Sequence, residues 1–132
     1  MIRKIGIGFL VSLVVGCSST DVEPLTLTQQ EWRLERINNK EISIQSTLHI
    51  DENDRATGLA GCNRFFGTAK HDDDSFKLGP MGATRKMCIT KEEQMVERRV
   101  LQAFQLGAEY TIQGDTLTVT AQNTFVYVVV TP

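Results

Sequence analysis

Only one stretch of this chain carries a helical period. Thr90-Lys91-Glu92-Glu93 is a capping box, with Thr90 as N-cap and Glu93 as its partner three residues on. Behind it Val96, Val100, Ala103 and Phe104 fall at i, i+4, i+7 and i+8, one apolar stripe, with Gln94, Arg98, Gln102 and Gln105 on the opposite face. Gly107 stands where a C-cap glycine belongs. A single amphipathic helix cannot bury its stripe alone, so it must pack on whatever the rest of the chain builds.

The rest reads as short strands. Residues 31–37 alternate, with Trp32 and Leu34 inward and charges between, and stop at the turn-forming Asn38-Asn39. Residues 47–50 and 55–59 flank the polar turn 51–54, and 65–70 and 75–78 flank Asp72-Asp73-Asp74, both hairpin patterns. After the helix come 109–112, the turn Gln113-Gly114-Asp115, 116–120 and 125–131, rich in threonine and valine. Residues 125–130 are apolar on both faces, which predicts a strand buried on both sides or one that closes a sheet. Short connections favour antiparallel neighbours. The expected fold is mainly β (β-rich α+β): a small antiparallel, barrel-like curled sheet of about seven or eight strands with the helix packed on it.

The N-terminus carries a different message. Residues 1–4 include two cations and residues 5–15 form an apolar run of 11, the pattern of a secretory signal and shorter than the roughly 20 residues of a spanning helix. Leu13-Val14-Val15-Gly16-Cys17 resembles the lipobox of bacterial lipoproteins. That resemblance implies cleavage before Cys17 and acylation of its thiol and new amine, an anchor well beyond the marginal binding of one acyl chain. The expected organisation is a signal peptide at 1–16, a lipidated tether at 17–27 and a folded domain at 28–132. Ser18 after the cysteine, by resemblance to enterobacterial lipoproteins, favours the outer membrane, with the domain facing the periplasm.

Export bounds the remaining chemistry. Losing Arg3 and Lys4 with the signal leaves 12 basic against 16 acidic residues and no basic run, so there is no electrostatic footprint for nucleic acid. Cys62 and Cys88 are the two cysteines besides Cys17, and in an oxidising compartment they are expected to pair, closing a loop worth roughly 3–4 kcal/mol. Two separate buried thiols, or a bridge forbidden by geometry, remain the alternative.

Catalytic and metal patterns are missing. His49, His71, Cys62, Cys88 and Asp72–Asp74 show no zinc spacing, and the aspartate run lacks the glycine and terminal glutamate of a calcium loop. There is no G-x-S-x-G, and Gly79-Pro80-Met81-Gly82 is turn punctuation without a phosphate-binding Gly-Lys-Ser/Thr. No cofactor, metal or catalytic residue is expected. Most aromatics are needed for a core this small, but Phe65 and Phe66 are adjacent and point to opposite faces, so one of them is a candidate for exposure.

Trp32-x-Leu34, then Gly58-x-x-Gly61-Cys62-Asn63-Arg64-Phe65-x-Gly67, then Thr84-Arg85-Lys86-Met87-Cys88, resembles the META domain of HslJ-type proteins. The order downstream agrees: a helix with Glu97 and Phe104, then Tyr110-x-Ile112 and Leu117-x-Val119, so that the resemblance spans roughly residues 28–131. It implies a compact antiparallel barrel with one helix and an association with stress responses and bacterial envelopes, and it transfers no catalytic site. Physically, Gly58 and Gly61 permit positive φ or close backbone approach, Asn63 can bond neighbouring backbone, and Phe65 supplies core area. The competing reading is that Asn63 and Arg64 line a ligand mouth.

Three functions follow as expectations. The first is a non-catalytic envelope lipoprotein acting through protein contacts. The second is a small-ligand carrier using the barrel interior, which requires a cavity of several hundred Å³. The third is an inhibitor of a periplasmic hydrolase, which requires an exposed loop with rigid anchors.

Overall fold

The computed structural model describes residue 6, residues 8–19 and residues 22–131. The basic start at residues 1–4, positions 5 and 7 of the apolar run, tether positions 20 and 21, and Pro132 lie outside the described residues. Residues 8–19 are exposed throughout and form neither helix nor strand. No helix among the described residues is long and apolar enough to cross a membrane.

The elements are β1 (Glu31–Ile37), β2 (Lys40–Glu41), β3 (Thr47–Ile50), β4 (Arg55–Leu59), β5 (Arg64–His71), β6 (Ser75–Leu78), β7 (Gly82–Ala83), α1 (Lys91–Leu106), β8 (Ala108–Gln113), β9 (Thr116–Thr120) and β10 (Thr124–Val129). Eight strands close an antiparallel barrel in the order β1-β3-β4-β5-β6-β8-β9-β10, with β10 returning to β1. The two-residue strands β2 and β7 hang on β1 and β5 and escape a reading based on alternation.

The seam that closes the barrel contains a bulge. Trp32 pairs with Val129 and Leu34 with Tyr127, but Ile37 pairs with Phe125, because one extra residue is inserted between Leu34 and Arg36. Here Leu34 N–H donates to the Ser46 carbonyl and the Glu35 carbonyl accepts from Ile42. The insertion shifts the inward phase of β1, turning Arg36 out and Ile37 in. β10 buries only Phe125 and Tyr127 and leaves Val126, Val128 and Val129 half-buried, so this apolar run closes the sheet and is not buried on both sides.

Trp32, Tyr127, Phe65, Phe125, Leu48, Ile50, Leu78 and Leu117 fill the interior. The helix adds Val96, Val100, Ala103 and Phe104, and the Phe104 ring lies 5.5 Å from Phe65 and 5.4 Å from Phe76, so helix and barrel share one core. The packed domain reaches further toward the N-terminus than position 28. Leu27 is buried, Leu25 packs on the core, and the Trp32 indole N–H donates to the Leu27 carbonyl at 3.1 Å.

One core group is poorly served. The Tyr127 hydroxyl is buried with no hydrogen-bond partner among the described residues, and burial pushes its pKa well above the ordinary tyrosine value. An unsatisfied buried hydroxyl costs about 1–3 kcal/mol. Tyr127→Phe is therefore expected to match or exceed the parent in urea denaturation, and a loss above about 1 kcal/mol would show that the hydroxyl is bonded in solution.

The capping box predicted for α1 is present in both directions, and the Gly107 N–H closes the other end on the Ala103 carbonyl. In the first turn Glu92 accepts from the backbone N–H and hydroxyl of Ser43, and those bonds, the backbone one first, lower its pKa below the ordinary 4.5. The folded state thus holds this carboxylate ionised more readily than the unfolded chain. Its contribution is complete above pH 4.5 and is lost as pH falls through the lowered value. The stability gap between parent and Glu92→Gln, followed by denaturant titration from pH 7 to pH 3, is expected to close on acidification; a gap that widens would contradict the assignment.

Candidate functional site

The turn between β4 and β5 is where three pieces of backbone meet. A Cβ on Gly58 would overlap the Thr47 carbonyl oxygen and lie 2.9 Å from the Phe65 ring. A Cβ on Gly61 would overlap the Glu93 carbonyl oxygen and lie 2.8 Å from the Glu97 nitrogen. Neither glycine has positive φ, so close approach and not turn geometry is what both positions need. Gly61 lets the first turns of α1 rest directly on the β4–β5 turn.

That contact brings Glu97 over Asn63. One Glu97 carboxylate oxygen accepts the Asn63 backbone N–H at 2.8 Å, and the other accepts the Asn63 side-chain amide at 2.8 Å. The same amide group donates to the Lys86 carbonyl at 2.9 Å. Asn63 Oδ1 accepts from Lys86 N–H at 2.6 Å and from the Thr84 hydroxyl at 2.9 Å, while the Thr84 hydroxyl oxygen accepts Arg64 N–H at 3.1 Å. Asn63 is 4% exposed, so these bonds are made away from water, where each unmade one is costly. Beside them Cys62 and Cys88 form the expected disulfide, with Cα atoms 5.6 Å apart. The Cys88 sulfur lies 3.0 Å from a Glu97 oxygen.

The network builds a loop. Between β7 and α1 the chain has no regular structure, yet its backbone is held at nearly every step. Thr84 N–H reaches the Arg64 carbonyl, Lys86 is clasped by Asn63 at both N–H and C=O, and the Gln94 side chain donates to the Cys88 carbonyl. Ile89 N–H and Thr90 N–H both donate to Glu93. Cys88 is buried while its neighbours Met87 and Ile89 are each 85% exposed, and Arg85 and Lys86 are exposed too. Met87, grouped by sequence with the architectural residues of the motif, contributes nothing to the core.

Other motif residues fall where architecture needs them. Trp32 and Phe65 are in the core, and Gly67 lies against Pro80 and Met81. Of the adjacent phenylalanines, Phe66 is the exposed one, at 55%, with its ring lying over Gly82. Arg64 is exposed, but Asn63 is buried and its amide fully used, so the two do not form a ligand mouth. Sequence reasoning did not give Glu97 its central place. The available signal was a carboxylate three residues before Val100 and seven before Phe104, at the border of the buried stripe.

Among the described residues, aromatic and branched side chains occupy the interior. Cavities lie on the outside, such as a 740 Å³ groove open to solvent beside Lys70, His71, Lys77 and Thr120. These open grooves lend the carrier reading no support. Cys62, Cys88 and Glu97 come close enough to hold a metal ion, but the two sulfurs are bonded to each other and the carboxylate accepts N–H groups. The Asp72 carboxylate accepts from the backbone of Asp74 and from Ser75, bonds that lower its pKa to about 2 and make the aspartate run a structured turn.

Trp32 lies behind the packed residues Leu25 and Leu27, Gly58 and Gly61 sit at close backbone contacts, and Asn63 clasps Thr84 and Lys86 beside the disulfide. The META domain matches residues 25–131. The chain belongs to the META domain family. Its first matched residue coincides with the start of the packed structure at Leu25, three residues before the boundary expected from sequence. Two structures solved by NMR share this fold. One is 24% identical, with a TM-score of 0.68, and covers 77% of this chain and 90% of its own. The other, from Burkholderia xenovorans, is 18% identical, with a TM-score of 0.66, and covers 92% of this chain and all of its own. Among curated proteins, none matches the chain.

Proposed function

We propose that this META-domain protein is a non-catalytic lipoprotein, anchored to the outer membrane through Cys17 and facing the periplasm, which supports envelope integrity under stress through contacts made by its outer surface with envelope proteins. The observation that carries the reading is the division of the chain's apolar residues. Barrel and helix pack most of their apolar side chains into one shared core, whereas Phe9, Leu10, Leu13, Val14 and Val15 stay outside it, each more than 80% exposed. An apolar run that the fold does not use, ending at a cysteine, suits a signal and a lipid attachment point. Cys17→Ser is expected to move the protein from the membrane fraction to the soluble one and to abolish labelling by radioactive palmitate; a variant that stays membrane-bound and labelled would refute the anchor. Affinity recovery of the lipidated protein from stressed cells should bring down an envelope protein that the Cys17→Ser variant does not.

The hydrolase-inhibitor reading keeps one observation in its favour, the exposed and rigidly held loop at residues 84–90. Titration of the domain against cell-wall hydrolases, with no fall in their rates at a tenfold molar excess of domain, would remove it.

A further inference from the structure

We propose that the loop between β7 and α1 is a membrane-contact device that seats on an anionic phospholipid surface. The loop offers Met87 and Ile89 to solvent, on either side of a buried Cys88. Around them stand the exposed cations Arg85 and Lys86 of the loop, Arg64 beside Thr84, and Lys91 at the start of α1; Arg98 borders the same groove as Met87. None of these five has a carboxylate within 4.0 Å, since the ion pairs among the described residues are Arg33–Glu35 and His71–Asp54. The three acids nearby turn their oxygens to N–H groups: Glu92 to Ser43, Glu93 to Ile89 and Thr90, and Glu97 to Asn63.

This is a local concentration of unpaired positive charge on a chain whose formal net charge is −2. The acidic residues gather elsewhere, at Asp72–Asp74 just past His71, the other end of β5 from Arg64. Cations flanking protruding aliphatic side chains are what a lipid interface selects, with the aliphatic groups below the headgroups and the cations at phosphate level. Protein interfaces enrich Met and Arg as well as aromatics, and Met87 and Arg85 would suit one; Lys86 with Lys91 beside it, and a loop with no aromatic, tip the match toward the lipid. The disulfide and the Asn63 clasp hold the loop's shape in advance, so little ordering entropy is lost on contact.

The lipid anchor is compatible with this contact but is not required for it. Leu25 and Thr26 lie beside His71 and Asp72, so the tether leaves from the far end of β5. Its eight residues, 17–24, reach about 28 Å, against about 26 Å for the eight residues of β5, enough for anchor and loop to touch one leaflet.

The test uses residues 22–132, which contain every strand, the helix, the disulfide and the whole core. Sedimentation with vesicles of phosphatidylglycerol is expected to bring the domain down at low salt, with binding falling as salt rises, and vesicles of phosphatidylcholine should leave it in solution. Met87→Asp with Ile89→Asp, and separately Arg85→Gln with Lys86→Gln, should each weaken partitioning by about tenfold or more. Lys70→Gln with Lys77→Gln, at the other end of the barrel, should change it less than about threefold. Met87→Trp supplies a direct reading, a blue-shifted emission on adding anionic vesicles. No binding to anionic vesicles, or binding that the loop variants leave unchanged, overturns the proposal; the first result would leave the loop to a protein partner.

Discussion

Replacing Gly61 with alanine is expected to destabilise the domain by about 3 kcal/mol, near the upper end of the usual cost of overpacking. The added methyl would meet the Glu93 carbonyl oxygen and the Glu97 nitrogen. Both belong to helix backbone, so no side-chain rotation relieves the overlap. Either α1 lifts from the β4–β5 turn or the turn deforms, and each route breaks the bonds from Asn63 to Glu97 at 2.8 Å. For a domain of this size such a loss lowers the melting temperature by roughly 10–20 °C. Gly67→Ala is the control. There the nearest atoms are the Pro80 oxygen at 3.2 Å and the movable Met81 Cγ at 3.3 Å, so the expected cost is below about 1 kcal/mol. Calorimetry showing Gly61→Ala within about 1 kcal/mol of the parent would mean the helix does not sit where the structure places it.

Removing the Cys62–Cys88 bond, by reduction or by serine at both positions, is expected to cost about 3.5 kcal/mol, the loop-closure entropy of a crosslink spanning 26 residues. The effect has a second signature. The crosslink and the Asn63 clasp hold the same loop, so their contributions should not add. Asn63→Ala alone should cost about 2–3 kcal/mol by orphaning Lys86 N–H and Glu97. In the reduced protein the same substitution should cost less by about 1 kcal/mol or more, because the loop is already partly released. Strict additivity in that double cycle would show that bridge and clasp act on separate structures. Mass measurement supplies the simplest check, two hydrogens fewer in the oxidised domain.

The eight barrel strands and the helix were legible because each is short, bounded by turn residues and patterned with its own period. The Thr90–Glu93 capping box is wholly local, and it formed as read. The bulge in β1 was not legible. Its alternation points Arg36 inward after Trp32 and Leu34, and only pairing with β10 and the bond from Leu34 to Ser46 show why the phase shifts at Glu35. The apolar residues 125–130 left two readings open. Which one holds depended on whether the last strand met the first, a contact between segments about ninety residues apart in the chain.

The motif around Gly58 and Gly61 divides the same way. Glycine at both positions is written in the sequence, and local physics allows either positive φ or close approach as the reason. The packed helix decides for close approach, because a steric limit exists only once the second piece of backbone is in place. Glu97 is the strongest case. By itself it is one of several acids on a helix, and its work of holding Asn63 arises from a turn 34 residues earlier lying beneath it.

What the sequence determined by itself is therefore the local grammar: strand and helix identity, the cap, the two cysteines available to pair, and the family of the domain. The elements and the cap depend on neighbours within a few bonds or turns, and the family on motifs spread over residues 28–131. Only the tertiary structure decided barrel closure, the filled interior, the Asn63–Glu97 clasp and the exposure of Met87 and Ile89. Those are properties of surfaces brought together across the chain, where burial and steric exclusion act on residues that no local pattern connects.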